Sequence, residues 1–69
     1  MDNKTISEKT GLSPAEVTRI LNLTKYGRKI TFRQAYLLSL AFGRSIDFWR
    51  KASQARIKRA IDDIEQEAA

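Results

Sequence analysis

The sequence predicts an all-α fold, a small helical bundle, on three observations. A single proline and three glycines in 69 residues, with abundant Ala, Leu, Ile, Arg, Lys and Glu, favour helix throughout. Ser13 to Glu16 and Thr31 to Gln34 both have the spacing of a capping box, in which a hydroxyl accepts the amide three residues on and that residue's side chain reaches back. Apolar residues also recur at three- and four-residue intervals through most of the chain.

Taken in order, Met1 to Lys4 is polar. A first short helix begins near Thr5, capped by Thr5 or Asn3, carries Ile6, Lys9 and Thr10, and stops at Gly11 as helices commonly do at a left-handed glycine. Leu12 then enters the core. The second helix opens at Ser13 with Pro14 in the first helical position, where a missing N–H costs nothing. Val17, Ile20 and Leu21 form its apolar face, with Leu23 beside them, and Ala15, Thr18, Arg19 and Asn22 face outward.

From Thr24 to Ile30 the chain reads TKYGRKI, a loop or short hairpin tip that turns at Gly27 with three bases around Tyr26. The third helix runs from Phe32 to Phe42 and ends at Gly43. One stripe holds Phe32, Ala35, Leu38, Ala41 and Phe42, while Tyr36, Leu37 and Leu40 lie elsewhere, so burial on more than one side is expected. Ser45 caps a last helix over residues 46–67, with Asp47 favourably near its positive end. Its apolar positions are Ile46, Trp49, Ala52, Ile57, Ala60, Ile61, Ile64 and Ala68. At about 30 Å it is longer than the domain it leaves, and its far half is expected to lack an intramolecular partner.

Residues 1–69 make one domain, and a chain of this size buries only about 60% of its unfolded surface. Such a core needs idealised helix packing, a metal, disulfides or a partner. With no cysteine and no histidine, disulfides and the ordinary zinc ligands are both removed. No cofactor is expected, and a partner chain becomes the natural source of further burial. No apolar run approaches the roughly 18 residues of a membrane span, and MDNKTISEK lacks the apolar centre of a signal peptide; the expectation is a cytoplasmic protein without a membrane partner.

The net charge of +5 is unevenly placed. Residues 1–59 carry all 13 Lys and Arg against Asp2, Glu8, Glu16 and Asp47, a net of +9, whereas residues 60–69 hold four acids and no base. A basic body suits a polyanion. No catalytic constellation is evident, because the serines lack a base and Asp62, Asp63 and Glu65 read as a solvated acidic run. An enzyme is not expected.

Around Gly11 the spacing is that of two helices locked across a turn: Ile6 and small Ser7 before it, Leu12 just after, then Val17 and Ile20. Ile6 to Asn22 resembles the helix-turn-helix of the Xre/Cro-type phage-repressor family. Ile30 to Trp49 resembles the HigA-type antitoxin branch, through Ile30, Thr31, Ala35, Leu38, Ala41, Phe42, Gly43, Ser45, Phe48 and Trp49. The resemblance implies a small lambda-repressor-like helix-turn-helix bundle. Three features depart from the family pattern: the usual first helix is lacking, the turn from Thr24 to Lys29 is longer, and the C-terminal helix is long and charged.

The resemblance further implies that the outward face of the second helix enters the major groove of double-stranded DNA, presenting Ser13, Ala15, Thr18, Arg19 and Asn22. Arg19 can pair bidentately with guanine or hold a phosphate, Asn22 can read adenine or cap its helix, and Ser13 or Thr18 can touch a base or a phosphate. Lys25, Tyr26, Arg28, Lys29 and Arg33 fall where the family's loop follows the sugar-phosphate backbone. Phe48 and Trp49 are expected in the core.

The leading expectation is a homodimeric, sequence-specific transcriptional regulator of repressor type that reads a near-palindromic operator. The alternative is an antitoxin that binds a toxin protein and represses its own operon. For dimerisation, the last helix can pair antiparallel with its copy, burying Ile57, Ile61 and Ile64 and setting its basic half against its acidic half. A solvated tail is the competing reading, since acids at a helix C-terminus oppose the dipole.

Overall fold

Hydroxyl side chains set the starts of four of the helices. In the computed structural model, which describes residues 3–68, there are five: α1 (Asn3–Thr10), α2 (Pro14–Lys25), α3 (Phe32–Phe42), α4 (Ile46–Lys51) and α5 (Gln54–Ala68). The described chain is thus all-helical, as its composition predicts. Met1 and Asp2 of the polar start lie outside the described residues, and α1 begins at Asn3, ahead of the expected start near Thr5.

Ser13, Thr31 and Ser45 each cap their helix by accepting a backbone amide, from Glu16 at 3.1 Å, Gln34 at 3.1 Å and Phe48 at 3.0 Å. At Thr31 the box closes in both directions, because the Thr31 amide donates to Gln34 Oε1 at 2.9 Å. At Ser13 only the first arm forms. The Glu16 carboxylate turns instead to Arg33 on α3, at 3.2 Å.

The junction of α1 and α2 closes on local hydrogen bonds. Gly11 stands at φ +77° and its amide donates to the Ser7 carbonyl at 2.9 Å. The Thr10 hydroxyl donates to the Ile6 carbonyl and accepts the Leu12 amide, while the Ser7 hydroxyl donates to the Leu12 carbonyl. These bonds hold the reversal of the chain, and Leu12 is delivered into the core at 2% exposure.

α1 packs on α2 and α3, α4 packs on α3, and α5 packs on α2. The core they enclose is built on Ile6, Leu12, Val17, Ile20, Ile30, Leu38, Trp49, Ile57 and Ile61. Trp49 is fully buried, meets Phe48 edge-on at 5.1 Å between centroids, and donates its indole N–H to the Gly43 carbonyl at 2.8 Å.

Three sequence expectations fail here. The long helix over residues 46–67 is two helices. Ala52 leaves α4 in an extended conformation (φ −73°, ψ 140°), and Ser53 starts α5 by accepting the Arg56 amide at 3.3 Å and the Ile57 amide on its carbonyl at 2.9 Å. An unbroken helix would carry its isoleucines away from the domain, whereas the break folds α5 back on α2, where Gln54 Nε2 donates to the Leu21 carbonyl at 3.2 Å.

Consequently Ile57 and Ile61 belong to the core, each 1% exposed, and Ile64 packs against the same cluster. Ile57 and Ile61 are therefore not free to form the expected dimer contact, Ile64 keeps only a half-buried edge, and the far half of the helix does have an intramolecular partner. Lastly, Phe32 is 60% exposed and not part of the buried stripe of α3, and the expected burial of that helix on more than one side reaches only the half-buried Leu37, since Tyr36 and Leu40 are exposed. The wheel of α3 centres its inner face on Ala35 and Leu38, and Phe32 falls on the flank away from it. Among the described residues no helix is long and apolar enough to cross a membrane.

Candidate nucleic-acid interface

The helical period of α2 separates two sets of residues. Val17, Ile20, Leu21 and Thr24 are buried, and Ala15, Thr18, Arg19, Asn22 and Lys25 are exposed on the opposite side. The inner set is locked by packing, so the outer set is held on a rigid helix rather than on a loop.

How α2 ends decides what stands beside that face. Gly27 at φ +77° closes a Schellman turn, in which its amide donates to the Thr24 carbonyl at 3.2 Å and the Arg28 amide returns to the Leu23 carbonyl at 2.9 Å. Only a residue tolerant of the left-handed region makes this turn cheaply. It folds Tyr26 and Arg28 back alongside α2. Together they wall an open concavity of about 620 Å³ whose floor is Ala15, Thr18, Arg19, Asn22 and Leu23.

Two guanidiniums, an amide, a hydroxyl and a phenol meet in this concavity, and among the described residues no carboxylate lines it. Such a set can both donate and accept hydrogen bonds, and Ala15 and Leu23 add apolar surface beside it. Tyr26 is 76% exposed, with the Lys25 ammonium 5.8 Å from its ring centre. An aromatic ring left this open beside a cation is not serving the core.

The remaining predicted site residues occupy other positions. Ser13 lies at the start of α2 with its oxygen engaged in capping. Thr18 accepts a hydrogen bond from Asn3 Nδ2 at 3.1 Å, which leaves its own hydroxyl proton free to donate. Asn22 does not cap α2, because the helix continues to Lys25 and Tyr26 is the capping residue. Arg33 is paired with Glu16, an exposed ion pair worth less than about 1 kcal/mol and therefore easily exchanged for a phosphate.

Lys29 stands apart from the concavity, in a smaller cleft of about 150 Å³ shared with Gly27, Arg28, Arg50, Lys51 and Ser53. Sequence reasoning missed Arg50 and Lys51, because it placed them on a long helix leaving the domain. The break at Ala52 brings them beside the loop instead. Arg50 Nε is buried without a hydrogen-bond partner among the described residues, and Lys51 reaches Asp47 at 3.6 Å in an exposed pair. The basic surface thus runs from Arg19 through Arg28 and Lys29 to Arg50 and Lys51. No family model, curated protein or solved structure matches the chain.

Proposed function

We propose that the chain is a sequence-specific, double-stranded DNA-binding transcriptional regulator of repressor type, built on a helix-turn-helix of the Xre/Cro kind and acting as a homodimer. One observation carries this reading: the outward face of α2 is continuous with a basic concavity that, among the described residues, is lined by no carboxylate. In it α2 is the reading helix, α1 supports it across the Gly11 turn, and Tyr26 to Lys29 follow the phosphate backbone. The role is binding and not catalysis. Extents of 31 × 21 × 19 Å allow two adjacent copies to span the roughly 34 Å between half-sites on one face of DNA.

The test is selection of bound duplexes from a random pool, followed by titration of the recovered sequence. A recurrent motif should emerge from the native chain. Arg19→Ala should relax preference at one base position of each half-site, by about 1 to 3 kcal/mol for a bidentate contact. An unchanged motif with Arg19→Ala would remove α2 from the reading role, and no enrichment at all would reject the regulator.

Arg50→Ala and Lys51→Ala should behave differently. Each is expected to weaken binding to all sequences alike and to lower the slope of log affinity against log salt by about 1. Titrations at several salt concentrations measure this directly. A slope equal to that of the native chain would detach the α4 end of the basic surface from the DNA contact.

A further inference from the structure

α3 has two apolar faces, and the fold uses one. Ala35, Leu38 and Phe42 point inward and are buried. On the opposite side Phe32, Tyr36 and Leu40 follow one another at four-residue intervals, 60%, 45% and 66% exposed. Of the four large exposed hydrophobic residues among those described, these are three. The same helix carries a single charge, Arg33, already paired with Glu16, in a chain of which 30% is charged.

We infer that this stripe is the contact between two copies of the chain, formed by α3 against α3 about a two-fold axis. The inference rests on the regulator reading only for the use it gives a second copy; the contact itself is argued without DNA. An uncharged stripe offers no complementarity to an acidic or basic partner and requires an apolar stripe of similar length, about 12 Å for residues 32 to 40. The chain supplies one itself. In an antiparallel pairing Tyr36 lies on Tyr36 of the partner subunit, and Phe32 lies on Leu40 of the partner subunit, so the surface is self-complementary, as a two-fold interface must be.

The area agrees with a weak dimer. Two aromatic rings of about 200 Å² each and one leucine, exposed to the extents given, leave roughly 300 Å² of apolar surface per copy. At an apolar share near 60%, that is the centre of an interface of about 1,000 Å² in total, the threshold for a specific contact. Dissociation in the micromolar range is expected, with DNA holding two copies together at lower concentration.

Sedimentation equilibrium of the full chain, without DNA, up to about 500 µM should show monomer and dimer in mass-action balance. Because the contact is uncharged, the balance should hold from about 0.1 to 0.5 M salt, whereas a base-against-acid pairing would weaken. Leu40→Glu should shift dissociation at least about tenfold, with helix content unchanged and melting unchanged at concentrations where the native chain is monomeric, because the site is exposed. The chain has no cysteine, so Tyr36→Cys should oxidise to a symmetric disulfide-linked dimer while Lys58→Cys on α5 does not. A chain monomeric at every concentration, a dimer indifferent to Leu40→Glu, or preferential cross-linking through Lys58→Cys would each overturn the inference. So would a monomer that associates through this stripe only with a different protein. Failure of DNA selection would leave all these measurements standing, so the two readings fail separately.

Discussion

Replacing Trp49 with alanine should leave the chain largely unfolded at 25 °C. Trp49 is fully buried, contacts Phe42 and Phe48 through its ring, and satisfies the Gly43 carbonyl through its indole N–H. Removing a buried Trp costs about 3 to 5 kcal/mol in lost transfer and cavity terms. A domain this small seldom has more than about 3 to 5 kcal/mol of stability to lose. Far-UV circular dichroism would report the loss of helix. Trp49→Phe keeps most of the packing and gives up the hydrogen bond, so it should remain folded and melt several degrees lower. A Trp49→Ala chain that melted cooperatively near the native temperature would show that the α3–α4 corner is dispensable.

Cutting the chain after Arg56 should have an effect of the same order. The deletion removes Ile57, Ala60 and Ile61, which are 1%, 5% and 1% exposed, and uncovers the side of α2 on which α5 lies. The point version, Ile61→Ala, should cost about 2 to 5 kcal/mol. Denaturant titration at two protein concentrations separates the roles of α5. A loss independent of concentration identifies core, whereas a native-like monomer that had lost only self-association would restore the dimer role given to Ile57, Ile61 and Ile64. This also limits how α5 can be used as a handle: any variant meant to probe its surface must avoid the Ile57–Ile61 face.

The correction of α5 shows what was hard to see in the chain. Ile57, Ile61 and Ile64 form a clear helical stripe, and a stripe says that a partner exists without saying which one. The deciding residues were Ala52 and Ser53. Alanine is a strong helix former and serine a helix-tolerant residue, so neither marks a break by itself. Ser53 becomes a cap only because turning back buries Ile57 and Ile61, a gain local propensity cannot express. Phe32 illustrates the reverse error. Its apolar character points to the core, although Phe32, Tyr36 and Leu40 form a second face that a single copy of the chain leaves uncovered.

For the candidate site, the outward face of α2 was legible because the helical period places Ala15, Thr18, Arg19 and Asn22 together once Ser13 and Pro14 set the start. The closeness of Arg28 to that face depended on the Schellman turn at Gly27, and the closeness of Arg50 and Lys51 to Lys29 depended on the break at Ala52.

By itself the sequence determined that this protein is helical, where α2, α3 and α4 begin, and which side of α2 is apolar, since capping and periodicity are local properties of neighbouring residues. Only the tertiary structure decided that α5 completes the core, that Glu16 pairs with Arg33, and that bases from α4 join the loop after α2. Those outcomes turn on which surfaces meet, and burial between residues distant in the chain is a free energy of the whole domain that no short stretch contains.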